Sequence, residues 1–221
     1  PATKELTELI LFDAANIMSH DELKFGDRPL YQDEDVVQAM NQCQTVDYGV
    51  RVQIAEGIEL RLVDAGHILG DSSIELWAEG KKFLFSGDIG NIGAPIVRDP
   101  TLVSEADYIV CESTYGNRTH DPIKDRDVRL KRAIDASVKQ RGVLLIPSFA
   151  LERTQELLHA LNHLVETNQI ANVPIFLDSP LAIKATEVFE RFPQYYDREA
   201  SEHVSSGEQL FAMEGLKLTR S

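Results

Sequence analysis

The 221 residues are 43% hydrophobic and 26% charged, which suits a folded globular protein and excludes a disordered or fibrous one. No apolar run reaches the roughly 18 residues of a membrane span, and no basic-then-apolar secretory segment opens the chain. A net charge of −14 disfavours nonspecific nucleic-acid binding by the chain as a whole, but it is compatible with a local positive groove or with bound metal ions that offset acidic charge.

Lys4 to Met18 places Leu6, Leu9, Ile10 and Ile17 near helical spacing and reads as a helix. Met18 to Asp35 is polar, carries Gly26 and Pro29, and reads as loop or short helices around a solvated His20. Glu34 to Asn41 suits a brief helix. Val50 to Ala55 and Ile58 to Val63 alternate apolar and polar residues about Gly57, the pattern of a hairpin. Ser73 to Ala78 and Lys82 to Ser86 form a second hairpin through Gly80, with Ile74, Leu76, Phe83 and Phe85 at alternating positions. Such a hairpin returns its ends side by side. Asp64-Ala65-Gly66-His67-Ile68-Leu69-Gly70 and Ser86-Gly87-Asp88-Ile89-Gly90 are then expected on one rim. A histidine and an aspartate on glycine-rich loops at strand ends form half of a metal site. From the residues alone, His67 also reads as a turn histidine satisfied by backbone groups, and Asp88 as a turn or capping aspartate.

A loop with glycines and prolines follows, and the apolar run Asp107 to Cys111 delivers Glu112. The two cysteines, Cys43 and Cys111, lack metal-finger spacing. Cys111 reads as a buried, reduced core residue, and a reducing cytoplasm is the expected setting.

The pattern changes after Arg118. Asp125 to Arg141 reads as a helix with Leu130, Ala133, Ile134 and Val138 on one face, ended by Gly142. Val143 to Ile146 reads as an apolar strand, Leu151 to Val165 as a helix, and Val173 to Leu177 as another strand. Ser179 and Pro180 open a last helix as N-cap and first turn, with Leu181, Ala182, Ala185, Val188 and Phe189 on its inner face. Helices alternating with continuously apolar strands imply a parallel sheet covered on both sides. The expected division is residues 1–117 and 118–221, in an α/β (α+β) class. The polar chain from Pro193 onward receives no element. His159 and His163 stand one helical turn apart, but no third ligand is evident. Arg118, Lys124, Arg126, Arg129, Lys131 and Arg132 cluster among aspartates and read as a solvated helix face or a phosphate grip. His120 reads as a surface residue, and Ser148 and Ser179 as capping residues.

Gly66-His67-Ile68-Leu69-Gly70 and Phe85-Ser86-Gly87-Asp88 resemble the third and fourth motifs of the metallo-β-lactamase fold. Glu112-Ser113-Thr114-Tyr115-Gly116-Asn117-Arg118 resembles the entry into the β-CASP branch, which contains RNA-processing nucleases. The segments Pro147-Ser148-Phe149-Ala150, Arg153 to Leu158, and Leu177 to Ala182 resemble bacterial and archaeal β-CASP domains. The resemblance implies the later part of a metallo-β-lactamase αββα sandwich followed by the first part of a Rossmann-like β-CASP domain. It implies phosphodiester hydrolysis by a metal-bound hydroxide at two zinc ions ~3.5–4 Å apart. His67 would be a direct ligand, Asp88 would bridge the ions, and Glu112 would pair with a later histidine that helps protonate the leaving group. The family's His-x-His-x-Asp-His cluster and late histidine motifs are absent here, so the chain reads as part of a longer protein, inactive alone, its zinc site empty or partly filled. RNA is the expected partner. A DNA nuclease of the same superfamily and a non-catalytic scaffold subunit are the alternatives, with a homodimer of the intact protein open.

Overall fold

The computed structural model describes residues 1–119 and 125–219, and both expected hairpins form in it. Helix α1 (Ala2–Phe25) and helix α2 (Asp33–Gln42) precede β1 (Arg51–Ala55), β2 (Ile58–Val63), β3 (Ser73–Ala78), β4 (Lys81–Phe85) and β5 (Tyr108–Val110). These strands make one sheet in the order β1-β2-β3-β4-β5, antiparallel except for the parallel β4–β5 pair. Then follow α3 (Arg126–Lys139), α4 (Arg153–Glu166), β6 (Ile175–Leu177), α5 (Pro180–Arg191), α6 (Arg198–Ser205) and β7 (Leu216–Leu218), with β6 and β7 parallel.

Strand alternation sorts the five-stranded sheet into two faces. Leu60, Leu62, Ile74, Leu76, Phe83 and Phe85 share one face by register. Tyr108 continues it, stacked on Phe83 with ring centroids 5.0 Å apart. The other face carries charge. Glu75 is fully buried between Arg61, at 2.5 Å, and Lys82, at 2.7 Å. The Arg51 guanidinium lies 3.9 Å from the Trp77 ring centroid beside them. Two cations flank the buried carboxylate and offset its charge, one beside each oxygen.

Four expectations are corrected. Helix α1 continues to Phe25, into the first part of the stretch read as loop or short helices, and Gly26, at φ 80, supplies the left-handed stop. His20 lies in that helix, its Nδ1 2.8 Å from the Asn16 carbonyl. Val143 to Ile146 is not a strand; Val143 and Leu145 are 85% and 84% exposed, and no described residue offers the segment a ladder. Residues 216–218, in the polar tail left unassigned, pair with β6 instead. Cys111 is exposed, because β5 lies at the sheet edge with Tyr108, Ile109 and Val110 also exposed.

The main core joins segments from both sides of Arg118. Ala2, Leu6, Leu69, Ile96 and Val97 pack with Leu158, Ala185, Val188, Phe189, Tyr196 and Phe211. Helices α1 and α5 lie against each other, fastened by the Glu5–Arg191 ion pair. The Asp197 amide donates to the Ile96 carbonyl at 2.7 Å, and Arg98 Nε to the Tyr196 carbonyl at 3.2 Å. The Ser179 N-cap forms as expected, its hydroxyl accepting from the Ala182 amide.

Burial pushes the Glu75 carboxyl up, but Arg61 and Lys82 outweigh it and hold it below its ordinary 4.5. A depressed carboxyl contributes stability above its unfolded pKa and loses it as pH falls through the folded one. Glu75→Gln is therefore expected to cost about 1–3 kcal/mol at pH 7, from a lost charged hydrogen-bond acceptor. Urea unfolding of both proteins from pH 7 downward checks this: the gap should close below the ordinary glutamate range, and a gap constant with pH would contradict it.

Candidate metal-site rim

The site grows from the ends of the β3–β4 hairpin. Leaving β2, the chain turns at Gly66 (φ 70) and Gly70 (φ 82) before entering β3. Just past Gly70 the Asp71 carboxylate folds back, its Oδ2 accepting from the His67 amide at 2.6 Å and the Ile68 amide at 3.1 Å. Burial raises the Asp71 pKa against the pull of those amides. The Tyr48 hydroxyl donates to the Asp71 carbonyl and the Thr3 hydroxyl to the Gly70 carbonyl, so α1 and the segment before β1 brace the loop.

At the other end, Ser86 is buried and bonded on every side. Its carbonyl accepts from the Ser73 hydroxyl at 2.7 Å, its amide donates to the Val110 carbonyl at 2.9 Å, and its hydroxyl accepts from the Glu112 amide at 3.0 Å. Ser86 thus fastens β3, β4 and the exit of β5 immediately before Asp88.

The two loops touch through backbone. The Gly90 amide donates to the Ala65 carbonyl at 2.9 Å. A Cβ on Gly90 would stand 1.4 Å from the Gly66 carbonyl oxygen and 2.6 Å from the His67 nitrogen. No side chain fits there, so glycine is required for contact rather than for φ. Glu112 closes the third side: its Oε1 accepts from the Ile89 amide at 2.6 Å, and its Oε2 from the Thr114 amide at 3.4 Å. The Ile89 amide and then Thr114 hold the Glu112 carboxyl below the usual range, with a smaller contribution from His67. Glu112 is consequently a carboxylate at neutral pH, an acceptor and not a proton donor.

The structure therefore brings the segments of His67, Asp88 and Glu112 to one rim. His67 and Glu112 are half-buried, and Asp88 is exposed. An imidazole and an aspartate fit the donor preferences of zinc, which takes three or four protein ligands. Among the described residues no group of three or more His, Cys, Asp or Glu side chains is arranged to hold a metal ion. The sequence reading did not single out Asp71, Ser86 or Gly90 individually; their signal was adjacency to the His67 and Asp88 motifs.

Other candidates separate from this rim. His159 and His163 line, with His203, a cleft of about 1080 Å³ whose walls also take in α3 and residues 93–96. Burial, then the neighbouring His203, pushes the His159 pKa down. In the basic cluster, Arg126 pairs with Glu156 at 3.2 Å and Lys131 with Asp135 at 2.5 Å, and Arg118 lies over the Tyr115 ring, so these charges are engaged locally. His120 and Lys124 lie outside the described residues.

Residues 154–221 match the Beta-Casp domain family. Along 98% of its length the chain is 31% identical to Ribonuclease TTHA0252 of Thermus thermophilus, of which it covers 48%. The later part of the chain is thus similar to a Beta-Casp domain. An RNase J-like protein of Methanocaldococcus jannaschii is 35% identical over 72% of this chain and 38% of its own length. Endoribonuclease YSH1 of Kluyveromyces lactis is 31% identical over 86% of this chain and 26% of its own. The chain thus spans about half the length, or less, of these curated relatives.

Gly90→Ala tests the loop contact. It is expected to cost about 1–3 kcal/mol or more, as overpacking against backbone does, and to speed hydrogen exchange at the His67 amide. Unfolding and amide exchange unchanged from wild type would contradict the contact.

Proposed function

We propose that this chain is part of a metal-dependent RNA-processing nuclease, in which the rim of His67, Asp88 and Glu112 forms one side of the active site. The observation that carries the reading is the backbone contact of Gly90 with Gly66 and His67, which draws the two loops together. The matches to a ribonuclease, an RNase J-like protein and an endoribonuclease support RNA as the substrate class. His67 and Asp88 would hold zinc together with donors from the longer parent protein. When bound, the metal supplies positive charge against the phosphate and activates water at neutral pH. Asp88 suits sharing between two ions because its carboxylate presents two oxygens. Glu112, kept ionised by the Ile89 and Thr114 amides, would orient and charge a histidine supplied by the longer parent protein, which would protonate the leaving group.

In the intact parent protein, Asp88→Ala should lower bound zinc and cut RNA hydrolysis by ~10³-fold or more, the scale of losing a group that stabilises transition-state charge. Metal analysis and cleavage of matched RNA and DNA strands check both parts. Unchanged cleavage would refute the site, and preference for DNA would refute the substrate.

A further inference from the structure

The tight turn before α4 ends on a residue that nothing local explains. Thr154 donates through its amide (3.2 Å) and its hydroxyl (2.7 Å) to the Phe149 carbonyl, and the Gln155 side-chain amide donates to the Ala150 carbonyl at 3.1 Å. Within this turn Glu152 takes φ 60 and ψ −57, a region that favours glycine and strains other residues. Its side chain does not cap α4. It is 3% exposed, and its Oε1 has no partner. For packing alone, a strained backbone and a half-satisfied buried carboxyl are two costs with no return.

The other oxygen shows where the side chain is aimed. Oε2 accepts from the Leu69 amide at 3.0 Å. With Asp71 taking the His67 and Ile68 amides, three consecutive N–H groups of the loop end on carboxyl oxygens. Two bonds are local, and the third reaches across from α4. We propose that Glu152 is a positioning residue for His67: it fixes the Leu69 amide, so that the entry of α4 and the His67 loop move as one body and affinity for metal depends on the β-CASP half. This rests on the reading of His67 as a metal ligand.

Glu152→Gly suits the test, because glycine tolerates φ 60 and the variant should fold while losing the acceptor. Glu152→Gln keeps an acceptor oxygen. In the intact parent protein, zinc affinity measured by chelator competition should fall about 10–100-fold in Glu152→Gly, as for lost partners of metal-ligand shells, and stay within about threefold of wild type in Glu152→Gln. Exchange at the Leu69 amide should quicken in Glu152→Gly only. Wild-type affinity and protection in Glu152→Gly, or equal losses in both variants, would overturn the proposal. His67→Ala separates the two ideas. If it leaves zinc affinity intact, His67 is not a ligand and both readings fall; if it lowers affinity while Glu152→Gly does not, only the role of Glu152 falls.

Discussion

Gly90 has a hydrogen where any other residue would place a carbon inside the Gly66 carbonyl. This steric constraint lets the loop after β4 lie directly on the loop before β3, with the Gly90–Ala65 hydrogen bond fixing their separation. The hairpin register brings the loops to the same rim, but register alone would leave them a side chain apart. Backbone-to-backbone contact makes the rim one surface. Glu112 then reaches it through the Ile89 amide, and Ser86 holds its strand exit in place.

The rim is carried by a core that ignores the change in sequence character near Arg118. Leu69, two residues from His67, is buried with Phe189 of α5 and Leu6 of α1 in the same cluster. Arg98 and the amide of Asp197 sew the loop after Asp88 to the turn before α6. Carboxylates and carbonyls receive most of the amides that these glycine turns expose, and so irregular backbone stays ordered. The geometry of the rim therefore depends on segments from both sides of Arg118.

Elements whose signals are local were legible in the sequence. The two hairpins followed from alternation and Gly57 and Gly80, and the α5 cap from Ser179-Pro180. The approach of the loops that carry His67 and Asp88 followed from hairpin geometry. What stayed hidden depends on neighbours distant in sequence. Val143 to Ile146 has strand composition but no ladder, while Leu216 to Leu218 gains one from β6 despite its polar surroundings. Cys111 follows an apolar run but sits where the sheet stops. Glu152 resembles any helix-start glutamate until its 83-residue reach to Leu69 is seen. Its positive φ leaves no trace in composition.

The central claim is that one metal centre joins the two loops. Anomalous diffraction at the zinc edge from crystals of the intact parent protein tests it most directly. The account predicts metal peaks with a His67 ring nitrogen at about 2.0–2.1 Å and an Asp88 oxygen at about 2.0–2.2 Å in one cluster. Metal bound elsewhere, with either side chain turned away from it, would contradict the account.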